Sequence, residues 1–209
     1  MGYAREVLDE SLWIFGYGSL VWRPAFAHRR SRPAEIHGYV RRFWQGSIDH
    51  RGVPGCPGRV VTLLPEGHAH VEPELARPVA ACWGTAYEVP IADPDGVLAH
   101  LDHRERGGYE RVALDITILE SRPANGADVE PQRTVKGLVY IASPTNPNYL
   151  GPASIEEIGG QVVGARGPSG PNPEYVFELA RSLRAMGATD DHVFAVEAEV
   201  AQRLRRRSA

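Results

Sequence analysis

In the stretch Leu101-Asp-His-Arg-Glu-Arg-Gly-Gly-Tyr109, Glu105 closes an apolar, helix-like run that Gly107-Gly108 stops at once, and Tyr109 then opens a strand-like run. A carboxylate at such a corner is held by backbone on both sides while it faces a cavity, the posture of a general base. The same position also suits a helix-end glutamate paired with Arg104 or Arg106. What Glu105 would deprotonate has to come from the rest of the chain.

Phe15-Gly-Tyr-Gly-Ser-Leu20 is the second candidate. Two glycines flank a tyrosine directly after an apolar strand. Glycine allows positive φ and close approach of backbone to a ligand. Successive N–H groups can then point into one hollow that suits a carboxylate or a developing oxyanion. A tight turn with no ligand fits the same residues. The spacing is not a dinucleotide fingerprint, because Val21-Trp-Arg-Pro24 does not open a helix. Nor is it a nucleophile elbow, which needs glycine two residues to either side of the serine.

A third segment, Arg41 to Arg59, is dense in polar groups and broken by Gly52, Gly55 and Gly58. Arginines beside glycine turns can take an anionic substrate through bidentate contacts; they can equally pair with local carboxylates such as Asp49. Ser47, Asp49 and His50 invite a triad, but neighbours along a strand point to opposite faces, so Asp49 would not orient His50. Asn148-Tyr-Leu-Gly-Pro152 and Gly164-Ala-Arg-Gly-Pro-Ser-Gly-Pro171 each precede a predicted helix start. There they serve either to place donors for an anion or simply to close a loop.

The elements that must hold these segments are set by periodicity. Strand-like runs cover Leu12–Tyr17, Ile36–Trp44, Arg59–Leu64, Val79–Val89, Tyr109–Leu119 and Thr134–Ile141. Helical spacing puts Val97, Leu98 and Leu101 on one face of 93–104, started by Asp93-Pro94. Ser154-Ile-Glu-Glu157 has the form of a capping box with Ile155, Ile158 and Val162 behind it. Asn172-Pro173 opens a helix striped by Val176, Leu179, Ala180 and Leu183 and ended by Gly187. A last helix from about Asp191 carries Val193, Val196, Val200 and Leu204. Strands gathered ahead of the C-terminal helices do not alternate as βαβ units would. The pattern predicts an α+β fold with a largely antiparallel, barrel-like sheet and flanking helices. The mouth of such a sheet is where a small ligand would bind.

The 209 residues suit one domain, 1–209, with a full hydrophobic core, and 43% apolar with 23% charged residues is ordinary for a globular protein. A net charge of −3 argues against a general nucleic-acid binder. Arg203, Arg205, Arg206 and Arg207 crowd the end of the last helix, where its dipole favours cations. Cys56 and Cys82 are too few for a disulfide framework or a structural zinc site. His68-x-His70 matches no familiar metal spacing. With no charged-then-apolar leader at Met1 and no apolar run of about 20 residues, the expectation is a cytoplasmic protein without a membrane anchor. No coiled-coil seam stands out, so a monomer is expected.

Together these segments resemble the ChaC family, the glutathione-specific branch of the γ-glutamylcyclotransferases, over about residues 13–204. The likeness rests on Trp13-Ile-Phe-Gly-Tyr-Gly-Ser-Leu-Val-Trp22, Arg41-Arg-Phe-Trp-Gln-Gly-Ser47, Asp49-His-Arg-Gly-Val-Pro-Gly55 and Pro57-Gly-Arg-Val-Val-Thr-Leu63. It continues in Arg104-Glu-Arg-Gly-Gly-Tyr109, Tyr149-Leu-Gly-Pro-Ala153, Gly167-Pro-Ser-Gly170 and Glu174-Tyr-Val-Phe-Glu-Leu-Ala180. The resemblance implies the cyclotransferase barrel and a reaction that splits glutathione into 5-oxoproline and cysteinylglycine, with no metal and no cofactor. It assigns the proton acceptor to Glu105, and the γ-glutamyl group to Ile14, Phe15, Gly16, Tyr17, Gly18, Ser19 and Leu20; Tyr149 corresponds to a tyrosine near the family's pocket. Arg106 stands where the family commonly has lysine, and 65–78 and 121–133 are longer than in compact members, which would alter access to the pocket. Competing readings are a cyclotransferase for other γ-glutamyl amino acids or γ-glutamylamines, a non-catalytic binding module on the same fold and, in a third class, a serine hydrolase.

Overall fold

The computed structural model describes residues 11–68, 81–90, 94–104, 108–119 and 133–208. Glu105, Arg106, His70, Asp93 and most of the two long loops therefore lie outside the described residues.

Five strands close into a barrel in the order β1-β5-β2-β6-β7. They are β1 (Leu12–Gly16), β2 (Arg30–His37), β5 (Ala81–Val89), β6 (Glu110–Ile118) and β7 (Arg133–Ile141). All neighbours are antiparallel except at the closure, where β1 and β7 run parallel with Ile14 opposite Leu138 and Phe15 opposite Val139. Two further strands, β3 (Tyr39–Ser47) and β4 (Gly58–Pro65), pair in a separate sheet. A short ribbon joins β8 (Arg166–Gly167) to β9 (Gly170–Pro171). The helices are α1 (Pro94–Arg104), α2 (Ile155–Gly164), α3 (Asn172–Ala185) and α4 (Asp191–Ser208).

The expected α+β barrel with flanking helices is the observed one, with β2 and the short β8–β9 ribbon added to the six expected strands. The run read as a single strand over Ile36–Trp44 is broken at Gly38, whose φ of +78° turns the chain from β2 into β3. Strand β2 was invisible to periodicity because Arg30, Arg32, Pro33 and Glu35 make poor strand formers. Its partner supplies what its composition lacks: all eight residues pair with β5, from Arg30 opposite Glu88 to His37 opposite Ala81. The buried Glu88 carboxylate, in turn, is held by Ser11 at 2.6 Å and by Arg29 and Arg30.

The main core runs from the barrel into the helical side, from Phe15, Ile36, Ile116 and Val139 to Leu63, Val176, Leu183 and Val196. Leu179, Ala180 and Leu183 of α3 are fully buried, as their spacing predicts, and Gly187 ends the segment at φ +74°. The capping box of α2 is complete: Glu157 N donates to Ser154 Oγ (3.1 Å) and Ser154 N to Glu157 Oε2 (2.8 Å). A second cluster packs Val97 and Leu101 of α1 against Ile14, Leu20, Tyr87 and Tyr140. It fixes the helix that leads toward Glu105 against the barrel wall.

Candidate functional site

A cavity of about 520 Å³ opens between the barrel and the β3–β4 sheet. One wall is the glycine loop, represented by Phe15, Tyr17, Gly18, Ser19 and Leu20. Behind β1 the chain turns at once into a 3₁₀ turn, with Val21 N donating to Gly18 O (3.0 Å) and Arg23 N to Ser19 O (2.9 Å). Neither Gly16 nor Gly18 has the positive φ that two glycines in a turn suggest. They are required for space instead. A Cβ on Gly16 would lie 2.5 Å from Leu20 Cβ, and one on Gly18 2.9 Å from the Tyr175 hydroxyl. The loop is pinned further by Tyr87, which donates to Leu20 O at 2.5 Å, and by Trp22, edge-on to Tyr175 at 5.3 Å.

The opposite wall is the end of β3 together with the first turn beyond it: Gln45, Gly46, Ser47, Asp49, His50 and Arg51. Pairing of β3 with β4 shifts register between Arg42 and Gln45. Past that bulge the strand takes a second neighbour, the 146–150 segment. Gly46 N donates to Asn148 O (2.7 Å), and Leu150 N to Trp44 O (2.8 Å). Asn146 ties the wall together. Its Oδ1 accepts from Asn148 N (2.8 Å) and from Gln45 Nε2 (3.1 Å), while its Nδ2 donates to Gly108 O (2.8 Å).

That last bond fixes the residue before Tyr109, and Tyr109 lines the cavity beside Tyr140. The Tyr140 hydroxyl donates to Asp102 (2.8 Å), whose other oxygen lies 3.3 Å from Arg111. The described residues on both sides of 105–107, Asp102 before and Gly108-Tyr109 after, are thus anchored around this cavity.

Of the residues expected from sequence, Phe15, Tyr17, Gly18, Ser19 and Leu20 line the cavity; among the described residues its wall does not include Ile14, Gly16 or Tyr149. Ile14 faces the second core cluster and is fully buried there. Tyr149 bridges Gln45 behind the wall, where burial pushes its phenol above the ordinary range. The arginines of 41–59 divide. Arg51 lines the cavity, whereas Arg41 reaches Cys82 Sγ (3.1 Å) and Asp190 (3.6 Å), and Arg59 holds Gln161 (2.7 Å) and Phe43 O (3.0 Å). Asn172 opens α3 as expected, and its fully buried side chain also pairs with the backbone of Arg59, accepting at 2.6 Å and donating at 2.9 Å.

No Ser47–His50 dyad forms: Ser47 Oγ accepts the backbone N–H groups of Arg51 (3.0 Å) and His50 (3.4 Å). The His50 ring meets Ser169 Oγ instead, at 3.1 Å, and its Nε2 stands 3.8 Å from Asp49, beyond hydrogen-bond reach. Tyr140, Tyr175 and Ser169 are wall residues that spacing did not single out. Tyr140 and Tyr175 sit within ordinary strand and helix patterns, while Ser169 lies in the Gly164–Pro171 segment, where the expected anion donors are backbone groups rather than this side chain.

The ChaC-like protein family model matches residues 12–203. The chain belongs to the ChaC-like family. It is 43% identical over 199 residues to glutathione-specific γ-glutamylcyclotransferase 1 of Danio rerio, covering 93% of this chain and 91% of that one. The glutathione-specific γ-glutamylcyclotransferase of Schizosaccharomyces pombe is 36% identical, with 95% and 96% covered. A crystal structure of the yeast γ-glutamyl cyclotransferase specific to glutathione superposes with a TM-score of 0.82 at 29% identity, over 92% of this chain and 96% of the other. Family membership accounts for the order of these segments: the glycine loop, the end of β3 and the 146–152 stretch lie far apart in sequence and meet at one cavity. Among the described residues, no helix is long and apolar enough to cross a membrane.

Proposed function

We propose that this ChaC-like chain converts glutathione into 5-oxoproline and L-cysteinylglycine in the cavity, with Glu105 accepting and then returning the proton. The relatives named for that reaction match over nine-tenths of the chain. The observation that carries the assignment to this cavity is that one wall presents the glycine loop and another presents Tyr109, which comes soon after Glu105 in sequence.

The substrate brings its own nucleophile. Its α-amine nitrogen bonds to the γ-carbonyl carbon, closing a five-membered lactam, and the bond from that carbon to the cysteine nitrogen breaks. The ammonium gives up two protons in becoming the lactam N–H; they pass in turn through Glu105 to the departing nitrogen, which leaves as an ammonium group, so no water is consumed. Most of the task is positioning: the glutamyl chain must be folded until nitrogen meets carbon. The Tyr17–Ser19 backbone serves that end by offering N–H groups to the substrate carboxylate or the γ-oxyanion, where a single donor contributes about 3 kcal/mol. A free glutamate titrates near about 4.3, a weak base; burial raises that value and the substrate ammonium lowers it.

We further read the protein as a cytoplasmic monomer, a reading supported by its two free thiols, exposed Cys56 and buried Cys82. Incubation with glutathione and, separately, with γ-glutamylalanine, then mass spectrometry of the products, tests the reaction. Equal amounts of 5-oxoproline and cysteinylglycine are expected from glutathione. Product from γ-glutamylalanine alone would reassign the substrate, and no product from either would end the cyclotransferase reading.

A further inference from the structure

The wall formed by His50, Arg51 and Ser169 is not used by the chemistry above, yet it is built with care. Two loops separated by more than a hundred residues lock together there. Ser169 N donates to His50 O (2.9 Å), and the His50 ring meets Ser169 Oγ (3.1 Å). A Cβ on Gly167 would come within 2.3 Å of His50 O and 2.6 Å of Gly52 N, so only glycine allows this approach.

Arg51 is the charged member of the wall, and its side chain is only 5% exposed. Its contacts among the described residues both fall on Nη1: Pro171 O at 3.1 Å and Glu174 Oε1 at 3.5 Å. A guanidinium carries five donors in a planar fork that matches a carboxylate. Nε and Nη2 therefore remain for a ligand, on a residue that lines the cavity. A nearly buried cation with three of its five donors unengaged is costly unless further acceptors complete it. The nearby carboxylates leave Nε and Nη2 open, since Glu174 reaches Nη1 alone. Asp49 and Glu174 are half exposed, at 52% and 51%, and stay solvated.

We propose that Arg51, with Ser169 and His50 beside it, forms a second anion subsite that takes the C-terminal carboxylate of a γ-glutamyl tripeptide. The inference rests on the cyclotransferase reading, which places the γ-glutamyl end at the glycine loop. That loop comes after β1 of the barrel, whereas Arg51 lies on the β3–β4 connection of the other sheet, so the two ends of the ligand are read by separate parts of the fold. A tripeptide has a carboxylate to place at Arg51; a short γ-glutamylamine has none. The subsite thus supplies discrimination by length and charge, apart from the reacting atoms.

Glutathione and its glycine monoethyl ester separate the carboxylate from everything else. The wild-type protein is expected to prefer the free acid by about 10- to 100-fold in kcat/KM, the range of one charged hydrogen-bonded contact. Arg51→Met should lose that preference, mainly by raising KM for the acid, and Arg51→Lys should keep part of it. Ser169→Ala, which leaves the Arg51 anchor at Pro171 intact, should reduce the preference by a few-fold and guards against Arg51→Met failing to fold. The same acid-to-ester ratio in wild type, Arg51→Met and Ser169→Ala would overturn the subsite. Calorimetric binding of acid and ester to Glu105→Gln separates the two ideas. Acid-selective binding there supports the subsite even if the wild type turns nothing over, a result that would sink the reaction alone.

Discussion

Before the bulge at Arg42–Gln45, strand β3 is held against other parts of the protein; after it, Gln45, Gly46 and Ser47 line the cavity. In the first half, Arg41 meets Cys82, Trp83 O and Asp190, and Phe43 gives its N–H to His192 Nε2 (3.0 Å) and takes Arg59 Nη1 on its carbonyl (3.0 Å). In the second half, Gln45 spends Nε2 on Asn146 and, at 3.4 Å, on Gly46 O; its Oε1 has no hydrogen-bond partner among the described residues. Both halves are buried, from Val40 to Ser47. Burial of polar groups therefore does not mark function here. What separates the halves is that residues of the second form part of the cavity wall.

If that division is right, damage on the cavity side should reach turnover and spare stability, and damage on the other side should do the reverse. The largest effect belongs to Glu105→Gln. It should lower kcat by roughly 10²–10⁴, the range of a lost general base, with an unchanged melting temperature. Activity within a few-fold of wild type would remove Glu105 from the chemistry. Gly18→Ala comes next, because the new methyl meets the Tyr175 hydroxyl at 2.9 Å and Val61 Cγ2 at 3.3 Å. A loop pushed aside by a fraction of an ångström should cost roughly 10- to 100-fold in kcat/KM. Adding Tyr175→Phe, which removes the clashing oxygen, should recover part of it; no recovery would show that the glycine is needed for some other reason. Gln45→Leu should be milder, at about tenfold in kcat/KM, since it frees Asn146 and through it the carbonyl of Gly108. Its stability should move by no more than about 1 kcal/mol, because the unpartnered Oε1 leaves with the Nε2 bond.

The parts of this site that sequence made visible are those written in neighbouring residues. The glycine loop, the Ser154–Glu157 capping box and the α3 stripe each depend on spacings of a few positions, and periodicity or local hydrogen-bonding reports such spacings directly. Contacts between distant residues left no such trace. Asn172 reaches Arg59 across 113 positions, His50 reaches Ser169 across 119, and Tyr140 reaches Asp102 across 38. Asn172 before proline reads only as a helix start until the strand its side chain serves is in place. The arginines of 41–59 could not be divided into structural and cavity-facing groups because their partners come from the residue before α4, from α2 and from β9. Glu105 took its meaning from resemblance to whole segments; position alone left it as an ordinary helix-end glutamate.

The smallest effect on turnover should come from His192, and it sharpens the comparison from the structural side. The bulge takes Phe43 N out of the β3–β4 ladder, and the imidazole accepts it in a half-buried place beside Arg41 and Arg42. Burial first, and then those two guanidinium groups, push the imidazole down to about 3 from an ordinary value of 6.5. The folded protein therefore holds His192 neutral across that interval while the unfolded chain binds a proton. Stability should be flat above about pH 6.5 and fall as pH drops toward 3, by up to about 1.4 kcal/mol per pH unit from this residue. His192→Gln keeps an acceptor for Phe43 N but cannot titrate, so denaturant melts between pH 4 and 7 (roughly the window of that linkage) should show a shallower acid limb. His192→Phe leaves the Phe43 N–H orphaned and should cost about 1–3 kcal/mol at neutral pH. Neither should change KM for glutathione. A variant that altered KM while its acid limb stayed as steep as wild type would place His192 on the cavity side and break the division at the bulge.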